Sequence, residues 1–184
     1  MKSSRQGQAK IAQRFIVGNN NVTKDESREG RQKIMAHSFT NQLLHCVFST
    51  KERRPLIMTE LASRLYPYLG GIAREHKMKL LAVGGMPDHI HLLLSLPSAL
   101  SVAKAMQLIK GNSSKWIHET FAEHRLFEWQ EGYGAFSIGV DGIERTISYI
   151  NNQAQHHQKR DYKSEFVVFL QRNHIEYEER FVFG

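Results

Sequence analysis

Residues 79–96 read KLLAVGGMPDHIHLLLSL. KLLAVGG and HIHLLLSL have strand character, and the MPD between them forms a turn, because proline presets a backbone angle and aspartate bonds its own backbone. The pair reads as an antiparallel hairpin. Side chains alternate along a strand, so Ile90, Leu92, Leu94 and Leu96 point one way and His89, His91, Leu93 and Ser95 the other. The apolar set is expected to face covering helices. Both imidazoles then stand on the opposite, more open face, near enough to bind one metal ion, with Asp88 just ahead of them to orient one ring. Taken alone, the pair reads as readily as two satisfied histidines.

Upstream, MAHSFTNQLLHCVFST opens at Met35 with a first strand over about 41–50. Leu61, Leu65, Leu69, Ile72 and His76 then recur at helical spacing, with Pro67 and Gly70-Gly71 predicting a kink. Downstream, Val102, Met106, Ile109, Ser113, Trp116 and Thr120 share one helical face, capped by Ser101. YGAFSIGV (133–140) is a fourth strand. A third helix runs from Asp141 or Gly142 to about His157, its stripe being Ile143, Ile147, Ile150 and Ala154, and a final helix over 163–173 precedes the apolar FVF. This order predicts an α+β, ferredoxin-like sandwich: a four-stranded antiparallel sheet with helices packed on one face.

With 184 residues and 41% hydrophobic content the chain suits one domain. No apolar run approaches the ~20 residues of a membrane span, so no membrane partner is expected. Cys46 is the only cysteine, which with the lack of a signal sequence fits a cytoplasmic location. The net charge of +7 points to a polyanionic partner, but residues 1–34 hold eight Lys or Arg against three acids, leaving only +2 for the rest. Residues 1–34 read as a basic, disordered extension that buries little, and residues 35–184 as the single folded domain.

In the third helix Tyr149 and Gln153 lie four residues apart, hence about 40° apart around the axis. They share a face displaced from the apolar stripe. A tyrosine at such a flank is most often a packed rim residue.

The stretches HCVFSTKERRPLI, GGMPDHIHLLLSLP and SYINNQAQHH together resemble the single-tyrosine HUH (His-hydrophobe-His) transposases of the insertion-sequence-200 type. The likeness spans about residues 35–180; residues 1–34 lie outside it. It implies that Tyr149 is the nucleophile and that His89, His91 and Gln153 hold a metal. It also implies a DNA transposase that cleaves and rejoins single-stranded DNA at hairpin-bearing element ends through a 5′-phosphotyrosine, working as a homodimer in which one subunit's tyrosine helix completes the other's histidine pair.

The residue types suit that chemistry. A phenol with pKa near 10 is a weak nucleophile at neutral pH, and a divalent ion can polarise the phosphate it attacks. Two imidazoles and an amide oxygen, without thiolate, are compatible with Mg²⁺ or Mn²⁺, and ligand type leaves Zn²⁺ open. Lys51, Arg53 and Arg54 after the first strand, and Lys104, Lys110 and Lys115 on the second helix, are the expected DNA-binding residues, with Trp129 and Tyr133 placed to stack on bases. His45 reads as an ordinary strand residue, Cys46 as core, and His156 and His157 as capping or DNA contacts. Two rivals remain: a non-catalytic nucleic-acid-binding module derived from a mobile element, and a zinc hydrolase built on His89, His91 and a further histidine.

Deleting residues 1–34 is expected to leave fold and activity intact while flattening the salt dependence of non-specific DNA binding. Loss of the folded circular dichroism spectrum in the truncated chain would refute this.

Overall fold

The computed structural model describes residues 39–158 and 160–178. The basic segment 1–34, the start at Met35 and the terminal FVF lie outside them. Strands β1 (Gln42–Ser49), β2 (Lys79–Met86), β3 (His89–Leu96) and β4 (Gly134–Ser137) form one antiparallel sheet in the order β2-β3-β1-β4. Helices α1 (Thr59–Glu75) and α2 (Val102–Thr120) connect β1 to β2 and β3 to β4. This is the expected ferredoxin-like sandwich.

Its main core follows the alternation of β3. Ile90, Leu92, Leu94 and Leu96 join Leu44, Cys46 and Phe48 of β1 beneath Leu61, Leu65, Leu69 and Ile72 of α1 and Met106, Ile109 and Ile117 of α2. Each fully buried large aliphatic side chain contributes roughly 1.5–3 kcal/mol. α1 accommodates Pro67 within one continuous helix, and Ser101 caps α2 by accepting from the Lys104 amide at 3.2 Å.

Burial corrects one aromatic. Trp129, expected to stack on bases, is only 8% exposed: its Nε1 donates to Ser113 Oγ at 2.9 Å and its ring meets Phe48 and Phe127, each at 4.8 Å. Tyr133 stays exposed.

The second sheet face, expected to stand open, is covered. The third helix is interrupted at Asn152, whose Nδ2 donates back to the Ser148 carbonyl at 2.8 Å. It becomes α3 (Ile143–Asn151) and α4 (Gln153–His157), followed by α5 (Tyr162–Arg172) with Asp161 as cap. Val47, Phe136, Tyr162, Phe166 and Leu170 form a smaller apolar cluster on this face. α3 lies against β2, where Gly84 pairs with His91. A Cβ on Gly84 would come within 2.5 Å of the Ile150 carbonyl oxygen, so the missing side chain is what lets the tyrosine helix settle beside the histidine strand.

Gly84→Ala is therefore expected to cost about 1–3 kcal/mol by pushing α3 off β2. Urea unfolding of both proteins measures it, and an unchanged midpoint would contradict the packing.

Candidate active site

The hairpin turn, Pro87 and Asp88, is tied to the end of β1: the Thr50 amide donates to the Asp88 carbonyl at 2.9 Å, and the Ile57 amide to the Pro87 carbonyl at 2.8 Å. This anchoring sets the start of β3, where His89 and His91 are 1% and 0% exposed. Each ring is oriented through Nδ1. His89 Nδ1 meets Asp88 Oδ1 at 2.7 Å, as expected, and His91 Nδ1 meets His45 Nε2 at 3.0 Å. With Nδ1 carrying the hydrogen, both Nε2 atoms keep their lone pairs. His45 is thus the orienting partner of His91, where the sequence indicated an ordinary strand residue. Burial and the neighbouring His91 lower its pKa to about 3, so it stays neutral and accepts.

Burial alone would raise Asp88, but hydrogen bonds from His89 and Arg53 outweigh it and bring its carboxyl down to about 2. Arg53 donates to Asp88 Oδ2 from Nε at 3.1 Å and from a terminal nitrogen at 2.6 Å, and lies over the Tyr162 ring. This arginine braces the turn.

Tyr149, half-buried on α3, has its ring 5.9 Å from those of both His45 and His91 in the same chain. Within one chain Tyr149 therefore lies beside His45 and His91. The Tyr149 hydroxyl donates to Glu165 Oε1, which also accepts from Gln153 Nε2 at 3.3 Å. Burial and the Glu165 contact push the phenol above its usual pKa. The other carboxylate oxygen, Oε2, lies 3.8 Å from His89 Nε2, 3.4 Å from His91 Nε2 and 3.4 Å from His157 Nε2. Burial raises Glu165, yet the nearby His91 ring and the bond from Tyr149 outweigh it and bring it to about 2, while burial lowers both His91 and His157.

His89, His91, His157 and Glu165 therefore form a buried group able to hold a metal ion, their donor atoms all within 4.8 Å of one another. The nitrogens, Glu165 Oε2 and Gln153 Oε1 are buried polar atoms without hydrogen-bond partners, which is costly unless something bonds them. Gln153, expected as a metal ligand, is buried beside Glu165 with its Oε1 unpartnered. His157, expected to cap a helix or touch DNA, is turned into the group instead. Glu165 was not singled out at all, although a carboxylate on the stripe Tyr162, Phe166, Leu170 of an amphipathic helix is a readable anomaly. A pocket of about 260 Å³ is lined by Tyr149, His156, Arg160 and Glu165.

The six cations expected to bind DNA lie outside this group. Lys51 pairs with Glu128 and Arg54 with Glu52, each at 2.5 Å; Lys115 lies 3.8 Å from Glu119; Lys104 donates to Gln107 at 2.9 Å. Lys110 donates to the carbonyls of Gln130, Glu131 and Gly132, and burial lowers its pKa to about 8.

The family profile described as "Transposase IS200 like" matches residues 38–153. The transposases for insertion sequence element IS200 of Salmonella typhimurium and Salmonella typhi are each 30% identical over 132 residues, covering 68% of this chain and 86% of theirs. The chain belongs to the IS200-like transposase family. The ISDra2 transposase TnpA of Deinococcus radiodurans is 24% identical over 114 residues, 59% of this chain and 81% of that one. Among solved structures, a Deinococcus radiodurans R1 protein described as a transposase superposes with TM-score 0.53 at 23% identity, covering 69% of this chain and 98% of that one. A REP-associated tyrosine transposase bound to a REP hairpin superposes with TM-score 0.51 at 15% identity, covering 73% and 74%. These two likenesses show the fold. The family match ends at Gln153, so His157 and Glu165 of this IS200-like chain lie beyond it.

Asp88→Asn tests the brace. A carboxyl depressed from 3.8 to about 2 contributes roughly 2 kcal/mol that is present above pH 3.8 and lost as pH falls towards 2. In chelator, the variant is expected to be less stable by about that amount at pH 7. The gap should close as the pH drops below about 4. A pH-independent gap in urea unfolding would contradict it.

Proposed function

We propose that this IS200-like chain cleaves and rejoins single-stranded DNA through Tyr149, with His89, His91 and Gln153 holding a divalent ion, Mg²⁺ or Mn²⁺. The observation that carries this reading is the Tyr149 hydroxyl bonded to a carboxylate whose other oxygen faces three imidazole nitrogens. The nucleophile thus adjoins a metal-capable group.

The buried, unpartnered donor atoms of His89, His91 and Gln153 fit such an ion. When bound, it would polarise a phosphate oxygen and offset charge developing at phosphorus. The chain's own residues do the rest. Asp88 and His45 fix the rings of His89 and His91 through their Nδ1 atoms. Glu165 Oε1 accepts the Tyr149 hydroxyl hydrogen and so directs an oxygen lone pair away from itself, towards the pocket beside His156 and Arg160. Attack by Tyr149 Oη on phosphorus breaks the bond to the 3′ oxygen, giving a 5′-phosphotyrosine and a free 3′-hydroxyl. The link conserves the phosphodiester, so a 3′-hydroxyl of another strand can displace the tyrosine without ATP.

The DNA partner is a single strand carrying a hairpin at an element end; the likeness to a transposase bound to a REP hairpin supports a folded DNA ligand. Lys51, Arg54, Lys104 and Lys115 are exposed and can exchange their partners for phosphate. Arg53 and Lys110 can do so only by giving up the turn and loop they hold. Assembly as a homodimer, in which one subunit's tyrosine helix can complete the other's histidine pair, rests on the resemblance. The work of such a protein lies in the cytoplasm with the DNA; among the described residues no helix is long and apolar enough to cross a membrane.

His157 favours a second reading, the zinc hydrolase, because it is the third imidazole that such a site requires. The two readings differ in product. Incubated with single-stranded DNA from its own genomic flanks, the parent protein is expected to give a denaturation-resistant adduct, and Tyr149→Phe none, at nearly unchanged DNA affinity. His89→Ala or His91→Ala should reduce cleavage more than Gln153→Ala, imidazole being the stronger ligand. Cleavage without any adduct would favour the hydrolase, and adduct persisting in Tyr149→Phe would sink the tyrosine assignment.

A further inference from the structure

We propose that His157 and Glu165, from the segment beyond the family match, are themselves metal ligands, so that the site is a three-imidazole, one-carboxylate set that takes an imidazole-binding transition ion such as Mn²⁺ or Co²⁺ in preference to Mg²⁺. This deepens the reading of the same site and rests on its metal part, not on the tyrosine chemistry.

The first argument is distance. Atoms bound to one ion at roughly 2.0–2.2 Å stand about 3–3.6 Å apart. Glu165 Oε2 lies 3.4 Å from His91 Nε2, 3.4 Å from His157 Nε2 and 3.8 Å from His89 Nε2. All four donor atoms lie within 4.8 Å of one another, so the widest pair must draw in by roughly an ångström to surround one centre.

The second argument is the cost of leaving these atoms unbonded. Nδ1 of His89 and of His91 is already committed, to Asp88 and to His45, so each Nε2 turns a lone pair towards a carboxylate oxygen. Lone pairs facing one another in a buried site repel, and no hydrogen bond satisfies any of the four atoms. A cation among them turns repulsion into coordination.

The third argument is support. Glu165 Oε1 receives Tyr149 and Gln153, which fixes the carboxylate with Oε2 towards the rings. The His157 ring packs 4.7 Å from the ring of His89. Supports of this kind orient ligands in built metal sites. The donor set then decides the ion, since Mg²⁺ demands oxygen ligands and keeps its water, whereas imidazole suits later divalent ions. Glu165 also joins the ion to the nucleophile, one oxygen on each.

The test is metal binding by the full chain, freed of metal with chelator and titrated with Co²⁺, read by visible absorption. Gln153→Ala, Glu165→Gln, Glu165→Asp, His157→Ala and His157→Gln are compared, with circular dichroism confirming the fold. We expect intense bands in the parent, and at least about tenfold weaker affinity with an altered spectrum when Glu165 or His157 is changed. Two variants at each position guard against one that fails to fold. Mn²⁺ should displace Co²⁺, and a large excess of Mg²⁺ should not. Unchanged affinity in the folded His157 and Glu165 variants, ready displacement by Mg²⁺, or no Co²⁺ binding by the parent would each overturn the proposal. The adduct assay answers separately for the tyrosine, so either reading can fail while the other stands.

Discussion

A single carboxylate set among three imidazoles and a phenol is the constraint on which the second face of this sheet depends. Glu165 is 5% exposed, and an ionised carboxylate so placed is costly unless several groups compensate it. Tyr149 on α3 and Gln153 on α4 supply hydrogen bonds to its Oε1, while its Oε2 faces the imidazoles of His89 and His91 on β3 and His157 on α4. None of them completes the cluster alone. The face is consequently divided, with the polar cluster beside the histidines and the Val47, Phe136, Tyr162, Phe166, Leu170 patch beside it to supply apolar burial. Gly84 belongs to the same arrangement, because only a bare backbone there lets α3 approach β3 closely enough for Tyr149 to reach Glu165.

The sheet and its first two helices were legible because alternation and helical spacing act locally. The alternation of Ile90, Leu92, Leu94 and Leu96 against His89 and His91 carried straight into burial, as did the cap at Ser101. What was not legible depended on tertiary placement. The break at Asn152 uses a side-chain bond that competes with the helix, and nothing in the apolar stripe marks it. That break separates Gln153 and His157 from α3, and an unbroken helix was the basis for reading His157 as a cap. Trp129 looked available because it borders a strand, yet the Thr50–Trp129 bridge and the Ser113 hydroxyl draw it inward. Lys110 looked like a DNA cation and instead bonds three consecutive carbonyls, a geometry no linear spacing reveals. Glu165 was readable in principle as a charge on an apolar helix face, but only a known partner distinguishes that from a salt-bridged surface turn.

The division between the family match and the rest of the chain has a physical counterpart. Residues 38–153, the stretch that matches the IS200-like family, carry the sheet, His89, His91, Tyr149 and Gln153. The helical segments from Gln153 onward close over that half-site, add the His157 imidazole and the Glu165 carboxylate, and lie over His89 and His91, which are buried. Closure of this kind excludes water and strengthens every charge interaction inside. It also leaves a pocket lined by Tyr149, His156, Arg160 and Glu165 beside the cluster.

In the proposed chemistry one particular oxygen, Tyr149 Oη, becomes bonded to DNA. Mass spectrometry of a protease digest, after the parent protein has been mixed with single-stranded DNA and metal and then treated with nuclease, measures this directly. A nucleotide mass is expected on the peptide containing Tyr149, with fragmentation assigning the phosphate to that tyrosine. A nucleotide on any other residue, or free cleaved DNA with every peptide unmodified, would contradict it.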